Sequence, residues 1–514
     1  MPKRVVIDGA SLTVEDVWRV ARLEAPVTIS PAAKKSVARC RRAIKKLVDR
    51  GETIYGVTTG VGELAKVRIS SELGAELQRR IVLSHAAGYG EAQPIDVVRA
   101  AILCRANTIA KGLSAVRLET LTTLIELLNG GVTPLVYEKG SLGASGDLSP
   151  LCQIAEVIMG GGEAFFRGEL IPGAFALKKA GIEPLTLSFR EGVGLINGSQ
   201  MMTGELALRC IDAENILKNA IIAAAMTIDS LRGERAAFDP RVHNARPFPG
   251  QIAVAEGIRR LTEGSEIRPI PDEKVQDAYS LRCAPQIMGP SLDTLAYVKR
   301  QVLIEMNSAA DNPLFYPEDG APLAGGNFHG QPIAMAADFL AIALSEIASV
   351  SERRTNRLLN PALSGLPPFL VKDTGLNSGL MGAQFTAAAL VSENKVLSHP
   401  AVVDSISVCA DEEDHVSMGS VSVRKLKEIC GNVVGVIAIE MMAGAQAVDF
   451  RKPRRTGAGV RAAHRRIRTV VAHLADDRPL HPDIAKIAEL VHTGAIVKAV
   501  ERVAGPIGLG TYPY

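Results

Sequence analysis

The segment at 140–151, GSLGASGDLSPL, carries residue types that can react with one another within the chain. If a tight turn brings the amide nitrogen of Gly146 onto the carbonyl carbon of Ala144, a five-membered ring closes and water is lost. Loss of the Ser145 hydroxyl as a second water then leaves a methylidene group conjugated to the ring, which is a strong electrophile. Glycine suits position 146 because no side chain hinders its nitrogen. Asp147 is the next residue, where a carboxyl group can transfer protons during the two losses of water. On spacing alone, the segment is more typical of an ordinary loop that enters a helix.

Seven further motifs accompany this loop in a fixed order along nearly the whole chain. They are YGVTTGVGELA at 55–65, LSHAAG at 83–88, LINGSQ at 195–200, VQDAYSLRCAPQ at 275–286, NSAADNPLF at 307–315, GGNFHGQP at 325–332 and EEDHVSM at 412–418. Together with the loop they resemble the aromatic amino acid lyase family, which comprises histidine, phenylalanine and tyrosine ammonia-lyases and related aminomutases. The resemblance implies that Ala144, Ser145 and Gly146 form a methylidene-imidazolone (MIO) prosthetic group, with Asp147 supporting its formation. It also implies a helical homotetramer whose active sites are shared between subunits.

The resemblance assigns roles to residues outside the loop. Elimination of ammonia requires removal of a proton from the β-carbon, and Tyr55 occupies the position of the family's base. A phenol has an ordinary pKa of about 10, so Tyr55 must lose its own proton before it can act as a base. Arg282 resembles the carboxylate clamp, since a guanidinium holds a carboxylate through two parallel hydrogen bonds. Asn197 and Tyr279 resemble the groups that bind the polar end of the amino acid and the ring oxygen of the prosthetic group. The rest of the predicted pocket wall consists of Gln276, Asn327 and Phe328.

Two positions bear on the identity of the substrate ring. The pair Ser84-His85 is typical of family members that act on histidine, although some tyrosine aminomutases share it. Glu413 stands where members that act on phenylalanine or tyrosine usually carry an Asn-Gln pair. A carboxylate accepts a hydrogen bond from an imidazole N–H but is poorly matched to a benzene ring. The expected substrate is therefore histidine, with His85 and Glu413 on its two ring nitrogens.

The sequence departs from the family's histidine pattern at two places. Asp411 and Glu412 replace Asn and Gln, which adds negative charge beside Glu413, and Val61 replaces a phenylalanine, which widens the edge of the pocket. Three alternatives therefore stay open. They are a 2,3-aminomutase with the same electrophile, a phenylalanine or tyrosine ammonia-lyase, and a non-catalytic helical scaffold that retains the motif.

Metal and pyridoxal phosphate chemistry are disfavoured by the sequence. It contains no HExxH motif, and its nine histidines show no metal-ligand spacing. His329 and His415 stand beside motifs of the predicted site, and we expect them to pack or to support other residues. The cofactor prediction is thus MIO alone.

The elements that must position these residues are predicted to be long helices. The chain of 514 residues is 47% hydrophobic and only 4% aromatic, which favours helices over a β-sandwich. The clearest helix begins near Pro332 and extends to Leu359. Further long apolar runs predict helices at 203–232, 291–309, 378–397 and 419–447.

The expected architecture is mainly α, a long-helix bundle of the aromatic amino acid lyase or fumarase-like type with a loop-rich N-terminal part. We divide the chain into an N-terminal part at 1–190 that carries the MIO-forming loop, a central helix bundle at 191–450 and a C-terminal helical segment at 451–514. The long helices are apolar on more than one face, so we expect them to bundle and to oligomerise.

Charge and cysteine usage exclude several classes of partner. The 58 Lys and Arg nearly balance the 55 Asp and Glu, which leaves no global field for nucleic acid or an anionic membrane. The one basic run, at 451–468, has no interleaved aromatic residues and is interpreted as a solvated connection. Seven scattered cysteines without a CxxC pair indicate reduced thiols in a cytoplasmic protein. No signal peptide or membrane span is expected, because acidic residues interrupt the apolar stretches.

Overall fold

Helices dominate the structure, a computed structural model that describes residues 2–267, 269 and 275–512. Helical residues make up 59% of the described part of the chain, which confirms the predicted mainly α fold. The α-helices in chain order are α1 (Val14–Arg22), α2 (Pro31–Asp49), α3 (Gly74–His85), α4 (Ile95–Ala110), α5 (Leu118–Gly130), α6 (Leu148–Ile158), α7 (Gly173–Ala180), α8 (Glu191–Ile196), α9 (Gln200–Ser230), α10 (Pro240–Asn244), α11 (Pro249–Leu261), α12 (Tyr279–Arg282), α13 (Ala284–Glu305), α14 (Gln331–Leu359), α15 (Pro361–Ser364), α16 (Met381–Leu397), α17 (Gly419–Phe450), α18 (Ala458–Arg468), α19 (His481–His492) and α20 (Ala495–Ala504).

Short strands form small sheets between these helices. The strands are β1 (Val5–Ile7), β2 (Val27–Ile29), β3 (Tyr89–Ala92), β4 (Val132–Pro134), β5 (Tyr137–Lys139), β6 (Glu163–Phe166), β7 (Glu169–Pro172), β8 (Leu314–Phe315) and β9 (Pro322–Leu323). Strands β1 and β2 pair in parallel, whereas β3–β5, β4–β6–β7 and β8–β9 are antiparallel. The β5 strand ends directly before residue 140 and α6 begins directly after residue 147, so the glycine-rich loop at 140–147 is held at both ends by regular structure.

The chain divides into two compact units. The first contains Met1–Ile211, Lys299–Asp338 and Pro400–Arg424, and the second contains Asp212–Val298, Phe339–His399 and Lys425–Tyr514. The predicted three-part organisation of the chain stays a prediction.

A buried arginine organises the centre of the first unit. Arg105 lies in α4, which is almost entirely buried, and is itself 1% exposed. Its guanidinium donates to the carbonyl oxygens of Gly194 at 3.1 Å, Asn197 at 2.9 Å and Ala310 at 3.1 Å, and it pairs with Asp311 at 3.3 Å. A buried guanidinium is tolerated when its donors are satisfied. These bonds fix the backbone from 194 to 197, which carries a predicted site residue.

The second unit contains a buried ion pair of its own. Arg354 and Glu440 are fully buried, and two guanidinium nitrogens donate to the two carboxylate oxygens at 2.6 and 2.8 Å. Thr227 and Ser351 also donate to this carboxylate, at 2.8 and 2.6 Å. The charges are therefore paired and hydrogen-bonded, which a buried pair requires.

The predicted long helices are all present, with shifted ends. The runs predicted at 203–232, 378–397 and 419–447 correspond to α9, α16 and α17, and the helix predicted from Pro332 to Leu359 corresponds to α14. The predicted start at 291 is wrong, because α13 begins seven residues earlier and carries Pro290 inside it. A proline usually marks a helix start because it lacks a donor and crowds the preceding turn, but here the helix continues through it.

Two helices, α14 and α17, are long and apolar enough to cross a membrane by length and composition. The sequence predicts no apolar stretch of that length, because acidic residues such as Asp338 interrupt its apolar runs. Of their most apolar windows, 67% and 78% are buried within the protein, as in core helices of soluble proteins.

Candidate active site

A cavity of about 710 Å³ in the first unit gathers most of the predicted site residues. Those that line it are Tyr55, His85, Ala144, Ser145, Asn197, Phe328 and Glu413. They come from distant parts of the sequence, so the fold, and not local spacing, assembles them. The cavity is large enough for an amino acid with a ring side chain.

The glycine-rich loop adopts a conformation that only glycine tolerates at two points. Gly143 and Gly146 have φ values of +70° and +72°. A Cβ atom at Gly146 would lie 2.3 Å from both the carbonyl carbon and the carbonyl oxygen of Gly198. The next residue, Asp147, donates its backbone N–H to the same Gly198 oxygen at 2.8 Å. Glycine at 146 is thus required by backbone angle and by close backbone approach.

The Ser145 side chain reaches the cavity and contacts Glu413. Its hydroxyl donates to Oε1 of the Glu413 carboxylate. Glu413 is held by a pair of backbone hydrogen bonds with Val408, at 3.1 and 3.3 Å. Between them, the three residues at 409–411 have φ values of +56°, +53° and +66°. Non-glycine residues seldom adopt this region, and strained backbone of this kind clusters at functional sites.

The side chain of Asp147, the last residue of the loop, is buried and does not line the cavity. Its carboxylate is fully buried and accepts hydrogen bonds from the Met202 backbone at 2.9 Å, from the Ser420 hydroxyl at 2.9 Å and from the Ser141 hydroxyl at 3.1 Å. Burial raises the pKa of Asp147 to about 6, and these hydrogen bonds oppose the shift only in part. Asp147 is therefore an acid whose proton exchanges near neutral pH.

The Tyr55 hydroxyl accepts a hydrogen bond from the backbone N–H of Gly62 at 3.0 Å. Burial raises the pKa of Tyr55 above its ordinary value, and the negative charges of Glu413 and Glu412 raise it further, while the Gly62 bond lowers it. This shift is opposite to the one that a base working at neutral pH needs. The Tyr55 phenol is thus neutral in the protein without substrate.

Asn197 presents an unsatisfied polar atom. The residue is 7% exposed, and its side-chain Oδ1 is buried without a hydrogen-bond partner among the described residues. Its backbone is fixed through Arg105, as described above. A buried acceptor without a partner is destabilising unless a ligand or water supplies a donor, so Asn197 is suited to bind a donor group in the cavity.

His85, the last residue of α3, is held by its own helix. Its Nδ1 lies 2.9 Å from the carbonyl oxygen of Ile81 and 2.9 Å from the Ser84 hydroxyl. Because a carbonyl only accepts, Nδ1 carries the proton in this arrangement, and Nε2 is left as an acceptor.

Two histidines at the wall of the cavity contact each other. The rings of His329 and His415 are stacked, with centroids 5.9 Å apart and an interplanar angle of 3°. Nε2 of His329 donates to the His415 carbonyl at 3.1 Å, and its Nδ1 accepts from the Gln331 backbone at 3.3 Å. Both nitrogens of His329 are thereby used, which fits the supporting role expected for it.

The sequence matches a family of known proteins over most of its length. A sequence model of the family described as "Aromatic amino acid lyase" matches residues 12–469. The chain belongs to the aromatic amino acid lyase family. The family predicted from the motifs is confirmed, and with it the lyase class.

Relatives within this family are similar over their full length. A histidine ammonia-lyase of Alkaliphilus oremlandii is 50% identical over 97% of this chain and 99% of its own, and one of Caldanaerobacter subterraneus subsp. tengcongensis is 49% identical over the same shares. Among solved structures, a histidine ammonia-lyase from Trypanosoma cruzi matches with a TM-score of 0.92, 38% identity and 99% coverage of both chains. A tyrosine aminomutase from Streptomyces globisporus matches with a TM-score of 0.94 and 38% identity, over 97% of this chain and 99% of its own.

Some residues predicted from the family motifs lie outside the cavity lining. Asn327 is exposed, and its amide donates to the Ala309 carbonyl at 3.5 Å. Gln276, Tyr279 and Arg282 belong to the second unit, where Tyr279 is 67% exposed and the Arg282 guanidinium lies 4.8 Å above its ring. The functional roles of these four residues stay predictions.

Other cavity residues had no predicted role in binding or catalysis. Cys409 and Glu412 line the cavity, and the charge of Glu412 raises the pKa of Tyr55. Glu412 lies within the EEDHVSM motif and Cys409 stands just before it, so proximity to this motif is the signal in the sequence that could have indicated them. The turn at 409–412 that carries them was not predicted.

Proposed function

We propose that this protein is a histidine ammonia-lyase, which eliminates ammonia from L-histidine without oxidation to give trans-urocanate. The observation that carries the proposal is the contact between Ser145 and Glu413 in a cavity that also contains His85. It sets a carboxylate suited to an imidazole directly beside the serine that is expected to become the electrophile. Full-length relatives named histidine ammonia-lyase, about 50% identical, support the same substrate.

The loop is suited to form the MIO group from its own residues. Ring closure joins the Gly146 nitrogen to the Ala144 carbonyl carbon, and the Ala144 oxygen leaves as water with the amide protons of Gly146 and Ser145. The second water takes the Ser145 hydroxyl and the Ser145 α-proton. Support comes from the positive φ of Gly146 and its contact with Gly198, since a loop already compressed by its surroundings loses less freedom on closing.

When present, the MIO group supplies an electrophile that takes up the substrate amine and makes it a better leaving group. The side chains around it then have separate tasks. Asn197 offers its free Oδ1 to the amine, and Tyr55 removes a proton from the β-carbon. Since Tyr55 must first lose its own proton against a raised pKa, we expect the rate to increase with pH.

Cyclisation also changes the partner of Glu413. Before it, the Ser145 hydroxyl occupies Oε1 of Glu413, and loss of that hydroxyl frees the oxygen for an imidazole N–H. His85 Nε2 is an acceptor as well. Oε1 of Glu413 and Nε2 of His85 are thus two hydrogen-bond acceptors. They match the two N–H groups of an imidazole ring that shares one additional proton with Glu413, whereas a phenyl ring has no N–H to donate.

We further propose a cytoplasmic homotetramer in which neighbouring subunits complete the active site. Exposed apolar side chains support association, among them Phe385 and Val396 of α16, which are 65% and 74% exposed. The polar groups of Gln276, Tyr279 and Arg282 are the ones that would be contributed in this way. The substrate is a small amino acid, and neither nucleic acid nor a membrane is expected as a partner.

A spectrophotometric assay tests the proposed function. The purified full-length protein is incubated separately with L-histidine, L-phenylalanine and L-tyrosine, and formation of the conjugated acrylate is followed. We expect product from histidine only. Activity on tyrosine but not on histidine would overturn the substrate proposal and leave the electrophile in place.

The second candidate function is a 2,3-aminomutase, which the similarity to the tyrosine aminomutase structure favours. The two reactions differ in how long the unsaturated product stays bound. NMR analysis of the products separates them, because a β-amino acid formed from L-histidine would establish the mutase.

A further inference from the structure

We propose that Ser141 is a positioning residue for cyclisation, which braces the loop in the conformation from which the ring closes. The inference rests on the proposed function, since it concerns how the electrophile is made. The Ser141 hydroxyl accepts the backbone N–H of Gly143 at 3.1 Å and lies 3.3 Å from the carbonyl oxygen of Gly146. It also lies 3.1 Å from Oδ1 of Asp147. One side chain therefore connects three points of the loop.

These contacts lie on both sides of the residues that react. Gly143 directly precedes Ala144, whose carbonyl carbon is attacked, and Gly146 provides the attacking nitrogen. Both glycines have positive φ and no side chain, so their backbone is free to adopt many conformations when nothing holds it. A bridge between Gly143 and Gly146 reduces this freedom and keeps the reacting atoms together.

The far side of Gly143 is anchored independently. Its carbonyl oxygen accepts from the backbone N–H of Gly330 at 3.1 Å and from the Ser417 hydroxyl at 3.0 Å. The Gly146 side is held by the backbone pairing with Gly198. Ser141 thus connects the two anchored residues, Gly143 and Gly146, on either side of the reacting atoms. Loss of its hydroxyl therefore affects the distance between these two residues.

The hydrogen bonds of Ser141 can all be satisfied at once. A hydroxyl has one proton and two lone pairs. One lone pair accepts from Gly143, and the single hydroxyl proton is shared between the Asp147 carboxylate at 3.1 Å and the Gly146 carbonyl oxygen at 3.3 Å.

The chain offers a matched control in Ser420. Its hydroxyl donates to the same Oδ1 of Asp147, at 2.9 Å, from the first turn of α17. Ser420→Ala therefore removes a hydroxyl from the acid, whereas Ser141→Ala removes one from the acid and from the loop backbone. The comparison isolates the bracing of the loop.

The test follows water loss in time. Full-length wild type, Ser141→Ala, Ser141→Thr and Ser420→Ala are made by cell-free synthesis, and intact mass and absorbance of the conjugated ring are recorded at intervals. Loss of the two hydrogen bonds to the loop backbone, those to Gly143 and Gly146, should slow the loss of two waters about 30-fold in Ser141→Ala, which corresponds to ~2 kcal/mol of barrier. Ser420→Ala should stay close to wild type, and Ser141→Thr, which keeps a hydroxyl, should recover most of the rate.

Equal rates of water loss in Ser141→Ala and Ser420→Ala would overturn the inference. If Ser141→Ala does not fold, as judged by thermal unfolding, Ser141→Cys gives the same comparison, because a thiol is a weak hydrogen-bonding group. A wild type that keeps both waters would refute the proposed function instead, so the two failures are distinguishable.

Discussion

Replacement of Gly146 by alanine should block formation of the electrophile. The new Cβ would lie 2.3 Å from the carbonyl carbon and oxygen of Gly198, whereas non-bonded carbon atoms normally lie about 3.5–4.0 Å apart. The obstacle is backbone, so the loop must move by roughly 1 Å. A displacement of that size between reacting groups slows a reaction on the order of 100-fold. Intact mass should accordingly show Gly146→Ala chains that retain both waters when wild-type chains have lost them.

Gly131→Ala is the matched control for the backbone angle. Gly131 ends α5 with φ of +69°, close to the +72° of Gly146, but no atom lies within 4 Å of a Cβ at this position. Both variants carry the roughly 1–2 kcal/mol of a left-handed alanine, so both should unfold at lower temperature than wild type. Only Gly146→Ala should retain its waters. Complete water loss in both variants would refute the argument that contact with Gly198 makes glycine necessary.

Three further changes have defined outcomes. Glu413→Gln removes a charged acceptor of similar shape and should lower kcat/KM for histidine by between about 10- and 150-fold; steady-state assays with unchanged kcat/KM would contradict its contact with the substrate ring. Glu412→Gln removes one of the charges that raise the Tyr55 pKa, so the rising limb of kcat/KM against pH should move to lower pH. A limb at the same pH as in the wild type would show that Glu412 does not act on the Tyr55 pKa. Asp147 has a pKa raised from 3.8 to about 6 in the folded protein, so the folded state holds its proton more tightly and loses stability as pH rises across that window. Asp147→Asn should remove this decrease, roughly 3 kcal/mol, in the free energy of unfolding between low and neutral pH. An unchanged pH dependence of unfolding would show that another group causes the decrease.

The long helices could be predicted because their signal is local. The helix α14 begins one residue before Pro332 and ends at Leu359 as the apolar spacing indicated. The start of α13 could not be predicted, since a proline usually marks the start of a helix and α13 continues through Pro290. The short strands β4, β6 and β7 were also missed. Segments of three or four residues among glycines carry too little periodicity to distinguish strand from loop.

The residues of the site could be predicted from motifs, but their contacts could not. Nothing in the spacing of Ser145 and Glu413, 268 positions apart, indicates that one donates to the other. The unsatisfied Oδ1 of Asn197 likewise depends on the backbone around it. Ser141 is visible in the loop sequence, yet its bracing contacts depend on the turn that the loop adopts.

The measurement that tests the central claim most directly is the intact mass of the purified full-length protein beside that of Ser145→Ala. The wild type should be lighter than its sequence by two waters, with the deficit confined to the peptide that contains Ala144, Ser145 and Gly146. Ser145→Ala lacks the hydroxyl that leaves as the second water, so it should not show this deficit and should not convert histidine, while its fold persists. A wild type with the full mass of its sequence, or normal turnover in Ser145→Ala, would contradict the account.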